Sequence, residues 1–455
     1  MANRLSQIRP IALALWSMAA VLIAPAALAQ ASADALAERL RILEQRLDAS
    51  QKLIEKMGER IKELERATTS GAASVGATPP AAAEQAKALS SLRESVDQIS
   101  DGLARNASPS GVPLHGFADA GAAWSTGDDP EPLRGFRVGT LDLYLTPQFS
   151  DRFKALMEIV FEYDADGRGS VEAERMQLGY TMNDALTLWA GRFHTPIGLW
   201  NTLYHHGANL QTAISRPRFI EFEDKGGLVP THTVGVWGSG KSGLASGKLS
   251  YDVYIGNGPT VRQGALDFNA FTDDNADKMI GFNLGYQPYG TLRGLNVGIH
   301  GFGSTVDTRA ASGALLSSTR LRMAGGYFGY DANGWDSLGE IYRFANRDLA
   351  GGAQHTSTAW YVQVGRNLGS FTPYLRYERA ALDGTDPYFA SQRLGRSYER
   401  SSIGVQYELH PKAALKVELG ATREAAATLI DQDGTPVPLA SARYRRAMIE
   451  YSLAF

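Results

Sequence analysis

The segment that decides the fold is RFKALMEIVFEY, residues 152–163, in which apolar and polar side chains alternate. Its apolar face carries Phe153, Ala155, Met157, Ile159, Phe161 and Tyr163, and its polar face carries Arg152, Lys154, Glu158 and Glu162. Successive side chains of a β-strand point to opposite sides, so this period of two predicts a strand with one apolar and one charged face.

The same period recurs throughout residues 112–455, where we count sixteen such segments. Tight turns alternate with longer polar connections; we expect a somewhat longer turn at Ser239 to Ser246 and a long connection at Ser304 to Ser317. A soluble β-sandwich gives no reason for this alternation, whereas an outer-membrane barrel has short turns at one end and long loops at the other. We therefore predict an all-β domain, a 16-stranded antiparallel transmembrane β-barrel.

The segment AMIEYSLAF, residues 447–455, is expected to be the strand that closes the barrel. A barrel has no unpaired strand edge only if its last strand pairs with its first. Phe455 is then expected in the aromatic girdle at the periplasmic rim, and an even number of strands places the preceding segments in the periplasm.

Residues 1–29 have the features of a secretory signal peptide. Arg4 and Arg9 precede an apolar run from Ile11 to Ala24, and Ala27-Leu28-Ala29 offers a small-x-small cleavage site. These features indicate export of the chain. An N-terminal membrane anchor is the alternative, but the apolar run is short for a transmembrane helix.

Residues 33–67 are predicted to form a coiled-coil helix. The apolar seam has 4-3 spacing with one polar member, Ser50, and consists of Leu36, Leu40, Leu43, Leu47, Ile54, Met57, Ile61 and Leu64. Such a stripe needs partner chains, so it predicts self-association, with two or three strands left open; a helix folded back on its own domain is the alternative. A low-complexity linker, residues 68–84, and a short helical segment, residues 85–111, follow, and the latter either extends the stalk or plugs the barrel.

The composition narrows the functional classes further. The chain has no cysteine, which excludes disulfides, thiolate metal sites and cysteine nucleophiles. Its formal net charge of −3 gives no reason to expect a nucleic acid partner. No cofactor and no metal is expected.

Several segments carry a resemblance to known porins. The ending IEYSLAF, residues 449–455, resembles the signal that the outer-membrane insertion machinery of Gram-negative bacteria recognises. AGRFHTPIGLW, residues 190–200, resembles a strand and loop entry of the phosphate-selective porin O and P family, and TPYLRYE (372–378) and LKVELG (415–420) resemble porin strands. A coiled coil before a sixteen-stranded barrel resembles the DcaP-like trimeric porins. The resemblance implies a homotrimer in the bacterial outer membrane, in contact with its lipid, with the coiled coil in the periplasm.

The longest connection, His194 to Thr231, resembles the constriction loop that porins fold into the pore. The residues that we expect at the constriction and for selectivity are Arg192, His194, His205, His206, Arg216, Arg218, Glu221, Glu223 and Asp224. The strand residues expected to face the lumen are Lys154, Arg175, Arg376, Arg400, Lys416 and Arg446, opposite Asp142, Glu158 and Glu162. Arginines followed by acids predict a transverse field, and the excess of basic side chains favours small anions such as phosphate or carboxylates, with neutral solutes also admitted.

Three motifs resemble phosphate- or metal-binding sites but are better explained as parts of a barrel. GVWGSGKS, residues 235–242, matches a phosphate-binding loop, but no helix follows it, and we interpret it as a turn. His205-His206 lacks a clear third metal ligand. DADGRG, residues 164–169, begins like a calcium loop but has Arg168 where an oxygen ligand is needed.

Three functional classes remain, and a passive diffusion porin that is not an enzyme leads them. A structural or adhesive protein that uses its coiled coil as a tether is the alternative, although this chain has strands enough for a whole barrel. A barrel phospholipase is a weaker alternative, because the eight histidines show no arrangement with serine and a carboxylate in sequence.

Overall fold

The computed structural model describes residues 114–163, 169–204, 208–267 and 275–455. These residues belong to the second of the two units into which the chain divides, Gly111–Phe455. The predicted signal peptide, coiled coil, linker and short helical segment lie outside the described residues, as do His205 and His206.

Sixteen strands of the described ranges form the barrel wall. They are β1 (Leu114–Gly127), β2 (Arg134–Leu145), β3 (Phe153–Tyr163), β4 (Gly169–Asn183), β5 (Leu186–His194), β6 (His232–Leu244), β7 (Gly247–Asn257), β10 (Lys278–Pro288), β11 (Leu295–Arg309), β12 (Leu315–Ala332), β13 (Trp335–Asp348), β14 (Gln354–Arg366), β15 (Phe371–Ala381), β16 (Tyr398–His410), β17 (Ala413–Glu424) and β20 (Ala442–Ala454).

The remaining elements of the described ranges lie in the connections. They are the hairpin strands β8 (Thr260–Arg262), β9 (Ala265–Asp267), β18 (Ala427–Ile430) and β19 (Pro436–Leu439), the helices α1 (Trp200–Leu203) and α2 (Pro387–Ala390), and two 3-10 turns at Arg218–Ile220 and Gly290–Leu292. No helix in these ranges is long and apolar enough to cross a membrane.

The wall closes on itself. Each of these strands pairs antiparallel with the next one along the wall, and β20 pairs with β1 from Phe117 opposite Ala454 to Gly127 opposite Tyr444. The backbone N–H of Phe455 donates to the carbonyl of Gly116 at 3.0 Å, and the N–H of Gly116 donates back at 3.2 Å. The prediction of a closed, antiparallel, 16-stranded barrel is therefore confirmed.

The two faces of the wall differ as the period of two predicts. On β10, Ile280, Phe282 and Leu284 are 57%, 42% and 38% exposed, whereas Asn283 between them is 5% exposed. Cross-strand neighbours continue the pattern, since Ile403 lies opposite both Leu375 and Leu419 and all three are exposed. The outer surface of the barrel is therefore apolar, and the polar side chains turn inward.

Glycines on the inner face let large aromatic rings lie flat against the wall. The indole of Trp189 on β5 lies over Gly179 of β4, where a Cβ atom would meet three ring carbons at 2.6 to 3.0 Å. The ring of Tyr254 on β7 covers Gly281 of β10 in the same way. These rings therefore lie along the wall instead of projecting across the interior.

Two of the expected connections are wrong. Strand β6 continues to Leu244, which lies opposite Gly247, so the turn is residues 245–246 and not Ser239 to Ser246. Strands β11 and β12 likewise continue to Arg309 and from Leu315, which leaves residues 310–314 instead of Ser304 to Ser317. Both stretches are rich in Ser, Thr and Gly, yet backbone groups there pair as in any other ladder. GVWGSGKS accordingly lies within β6 and not in a turn.

A positive charge at the centre of the outer apolar surface should destabilise the barrel in lipid. We expect Ile403→Arg to lower the free energy of unfolding by about 2–4 kcal/mol, because Ile403 is central on β16 and faces outward. Denaturant titration of the protein folded into phospholipid vesicles measures this change. Ala350→Arg, in the exposed turn after β13, is the matched control, and equal losses in the two variants would contradict an outer face in contact with lipid.

Candidate functional site

The described residues of the connection between β5 and β6, 195–204 and 208–231, fold into the barrel; we call them the inserted loop. Three carboxylates of distant strands accept hydrogen bonds from its backbone: Glu340 of β13 from Trp200 at 2.7 Å, Glu378 of β15 from Arg218 at 2.8 Å, and Glu418 of β17 from Ile214 at 3.1 Å. These strands lie across the wall from β5 and β6 in the order of pairing. The inserted loop therefore crosses the interior.

Glu340 is one of these three anchoring carboxylates, and both of its oxygens accept hydrogen bonds. One carboxylate oxygen accepts from the Trp200 N–H and from the Tyr361 hydroxyl at 2.6 Å, and the other accepts from the Tyr342 hydroxyl at 2.6 Å. Gly198 packs so close to this carboxylate that a Cβ atom would collide with it, and its φ of 61° also favours glycine. Removing a partner from a fully buried carboxyl leaves polar atoms unsatisfied at a large cost, so these hydrogen bonds fix the start of the loop.

Arg216 and Arg218, the predicted selectivity cations, are buried within the loop and its anchors. Arg216 donates to the Ile220 carbonyl at 2.9 Å and to Asn201 at 3.0 Å. Arg218 pairs with Glu424 of β17 and lies 4.5 Å from the ring centre of Tyr398. Burial is the largest influence on both guanidinium groups and lowers the pKa of each from its ordinary value. Both arginines hold the loop in place.

The basic side chains expected on β15, β16 and β17 form a second set of anchors. Arg376 is fully buried and donates to Glu378 at 3.0 Å and to the Ser215 carbonyl at 2.7 Å. Lys416 donates to the carbonyls of Gln211, at 2.6 Å, and Ala208. Arg400 bridges Glu378 and Glu418, at 3.7 and 3.4 Å. These three cations face inward, but carboxylates and loop carbonyls largely neutralise them.

The acidic end of the loop returns to the opposite wall. Glu223 is buried and accepts from the Thr231 N–H at 2.6 Å and from His232 Nδ1 at 3.1 Å, while the other ring nitrogen of His232 lies 2.6 Å from Glu174. Lys225 pairs with Glu162 of β3 at 3.0 Å. Glu221 is partly exposed and Asp224 is exposed, so these two acids reach the water of the interior.

Arg192 and His194 lie at the root of the loop, beside a β-bulge. Ala173 pairs with Ile159 and Arg175 pairs with Glu158, which leaves Glu174 as the extra residue. Arg192 lies 3.5 Å from Glu174, and His194 Nε2 lies 3.3 Å from Glu158. Arg192 lies opposite the exposed Met176 in the strand register but is itself buried, and Glu174 connects it to His232 and so to Glu223 of the inserted loop.

Sequence reasoning missed the carboxylates that anchor the loop and one exposed arginine. Alternation alone places Glu378 and Glu418 on the inner face, within two of the porin-like segments. No local pattern shows that Arg218 meets carboxylates 160 and 206 residues further along the chain. Arg137 of β2 went unnoticed because its strand has polar and apolar residues out of strict alternation at a bulge.

Three inward arginines share a common arrangement, in which the arginine side chain is at least partly exposed and the paired carboxylate is buried. The side-chain exposures are 42% and 3% for Arg137 and Glu450, 20% and 0% for Arg175 and Glu158, and 25% and 1% for Arg446 and Asp129. Arg446 binds Asp129 through two nitrogens, at 2.8 and 2.7 Å. A guanidinium carries five N–H donors, so donors remain on the exposed side of each pair.

Comparison with known proteins shows the fold. No family model matches the chain, and no curated protein matches its sequence. Among solved structures, the anion-selective porin from Comamonas acidovorans is similar over 76% of this chain and 99% of its own, with 15% identity and a TM-score of 0.51. OmpT of Vibrio cholerae in its trimer form (12% identity, TM-score 0.49, 75% and 98% of the chains) and DcaP of Acinetobacter baumannii (14%, 0.46, 75% and 96%) follow. The first of these matches shows that the chain has the fold of a porin barrel.

Loss of the Glu418 charge should loosen the loop. We expect Glu418→Gln to lower the free energy of unfolding by about 3–5 kcal/mol, because buried Arg376 and partly buried Arg400 lose a paired charge. Limited proteolysis of residues 208–216 should become faster in the same variant. Glu399→Gln, which breaks an exposed pair with Arg379, is the control and should cost about 0–1 kcal/mol. A Glu418 variant as stable and as resistant as the control would disprove the anchoring role.

Acid should release the end of the loop through Glu223. Burial raises the pKa of this carboxyl, but the positive charge of His232 and hydrogen bonds from His232 and Thr231 together hold it below its ordinary value of 4.5. The stabilisation is therefore present above the ordinary pKa and is lost as the pH falls through the folded value. We expect proteolysis at residues 221–231 to accelerate on acidification below pH 4.5 in the parent.

The Glu223→Gln variant separates this carboxyl from the other acids. It should be cleaved faster already at neutral pH and should have lost the acid-dependent step, whereas Glu221→Gln, at its partly exposed neighbour, should keep that step. The same acid dependence in the parent and in Glu223→Gln would assign the transition to another group.

Proposed function

We propose that this protein is an outer-membrane porin, a passive diffusion channel for small hydrophilic solutes, and not an enzyme. The observation that carries the proposal is a closed barrel, apolar outside and polar inside, with a loop anchored across its interior. A wall of this kind exposes its apolar face to hydrocarbon and encloses water. The anchored loop narrows the bore without replacing the barrel's inner polar surface, which suits size-limited diffusion.

The exposed arginines support a preference for anions such as phosphate or small carboxylates. Arg137, Arg175 and Arg446 direct guanidinium groups into the interior while their carboxylates stay behind them. A passing solute therefore meets N–H donors and positive charge before it meets the compensating acids. Arginine binds carboxylate and phosphate oxygens through paired hydrogen bonds, so this surface favours anions over cations.

The residues predicted at the constriction have different roles in the proposed channel. Arg218 positions the loop beside β15 and β17, and Arg216 lies within the loop, 4.0 Å from Glu221. Asp224 is exposed next to Lys225, which pairs with Glu162 of β3. Arg192, His194 and Glu223 hold the root and the end of the loop. The transverse field stays a prediction from the sequence, because Arg216 and Arg218 are buried in contacts with the loop and its anchors, and Arg216 lies close to Glu221.

Assembly and location complete the proposal. The coiled-coil seam of residues 36–64 supports self-association, the resemblance to trimeric porins supports a homotrimer with a periplasmic stalk, and Phe455 supports recognition by the outer-membrane insertion machinery. Membership of the phosphate-selective porin O and P family stays a prediction from the segments that resemble it.

Channel recordings test both the function and the preference. Stepwise conductance in planar bilayers is expected of the parent, and its absence would refute the porin. Arg446→Gln and Arg175→Gln should each shift the reversal potential across a KCl gradient towards cation preference. A unit charge about 5 Å away in water attracts an anion and repels a cation by about 0.8 kcal/mol each, so each loss should lower the anion-to-cation permeability ratio by up to about sixteenfold.

The matched control is Arg379→Gln, which removes the same charge from the outward side of β15. Arg379 lies opposite Trp360 and Glu399 and is 53% exposed outside the bore. The reversal potential of this control should equal that of the parent. A shift as large as in the two bore variants would show that overall charge, and not the inward guanidinium groups, sets the preference.

A further inference from the structure

A row of inward side chains across β3 to β6 combines a lysine with two stacked indoles. Lys154 lies opposite Gly179, Gly179 opposite Trp189, and Trp189 opposite Trp237. The indole centroids are 5.5 Å apart with an interplanar angle of 17°. The alternate residues of the same strands, Leu188 and Val236, are exposed on the outer surface, so the row belongs to the interior.

The row lies on the short-turn side of the inserted loop. Trp189 follows the two-residue turn after β4 closely, and the loop begins beyond His194, about 17 Å further along the strand. Lys154, Trp189 and Trp237 are all partly exposed. A solute that has passed the loop therefore reaches this surface, which we call the indole platform (Lys154, Trp189 and Trp237).

Intramolecular bonds already occupy the polar edges of both indoles. Trp189 donates its N–H to Ser239 at 3.1 Å, and Trp237 donates to Asp252 at 2.9 Å. Gly179 supports the back of the Trp189 ring, and the ring of Phe193 packs beside Trp237 at 5.3 Å. The indoles are held in fixed orientations, and what they still offer a ligand is ring surface and not N–H groups.

Lys154 supplies a cation without a carboxylate partner in the described parts of the chain. Its ammonium lies 4.9 Å from the centre of the Trp189 ring. A cation over a ring at a partly exposed position is held more weakly than one in a charge-assisted hydrogen bond. The exposed arginines of the bore differ in this respect, because each has a buried acid behind it. A carboxylate on a solute can therefore replace the Trp189 ring as the partner of the Lys154 ammonium by forming an ion pair with it.

We infer that the indole platform is a binding site for aromatic carboxylates, whose ring stacks on the indoles while the carboxylate pairs with Lys154. This inference rests on the proposed channel, because the platform faces its interior. An aliphatic carboxylate satisfies only the lysine, and a neutral sugar satisfies only the rings. An aromatic ammonium ion is repelled by Lys154, so a planar aromatic anion is the solute that meets both features.

Calorimetric titration of the full chain in detergent micelles tests the site without any need for conductance. Benzoate should bind about tenfold more tightly than acetate, since a stacked ring contributes about one order of magnitude in affinity, and more tightly than benzylammonium or glucose. Equal affinity for benzoate and acetate, or a preference for benzylammonium or glucose, would overturn the inference. This comparison needs only the unmodified protein.

Matched variants locate the site. Trp189→Leu should weaken benzoate binding about tenfold and leave acetate unchanged, and Lys154→Gln should weaken both. Trp360→Leu, on the outer face, and Lys412→Gln, in the exposed turn after β16, should match the parent. Benzoate binding that survives both platform substitutions would place the site elsewhere and overturn the assignment.

The two proposals fail separately. Channel openings without preferential benzoate binding would reject the indole platform and leave the porin standing. Preferential benzoate binding that Trp189→Leu abolishes, in a protein that forms no channel, would reject the porin and leave the binding site.

Discussion

The structure depends on one constraint, which is that every backbone N–H and C=O group of a wall in hydrocarbon must pair within the protein. Fifteen of the barrel pairings join strands that follow each other along the wall, but the pairing of β20 with β1 joins residues more than 300 positions apart. Without that ladder both strands would expose a row of unpaired groups. The hydrogen bonds between Phe455 and Gly116 extend the seam to its last residue. Alternation then sorts the side chains, because a closed wall has only an inside and an outside.

Inside the wall, charge is used mainly to hold the loop. Buried carboxylates on β13, β15 and β17 each accept several hydrogen bonds, and at least one in each set comes from the loop backbone. A buried carboxylate is costly unless its lone pairs and its charge are both satisfied. Arg376 and Arg400 supply the charge for Glu378 and Glu418. The interior can therefore contain many arginines while few of them act on a passing solute.

The sequence predicted the wall well and the interior only in part. A period of two identifies strands, their faces and their number, because lipid and water impose opposite requirements on neighbouring side chains. It fails where both faces are polar, as in residues 304–309, since composition there resembles that of a loop. Facing direction is local and was accessible for Arg376 and Lys416. The partner of an inward side chain cannot be predicted from local sequence, because Glu424 meets Arg218 only after the barrel has closed and the loop has folded inward.

The arginines of the interior have two different roles, which depend on how deeply their side chains are buried. A buried arginine such as Arg218 pairs with a carboxylate of the wall, whereas the side chains of Arg137, Arg175 and Arg446 keep part of their surface exposed. The exposed three lie on β2, β4 and β20, on the arc of wall that contains the closing seam. The indole platform continues that arc over β3 to β6. This arc of the interior therefore presents arginine side chains and ring faces, whereas the buried arginines of the inserted loop are bonded to the loop and to the wall.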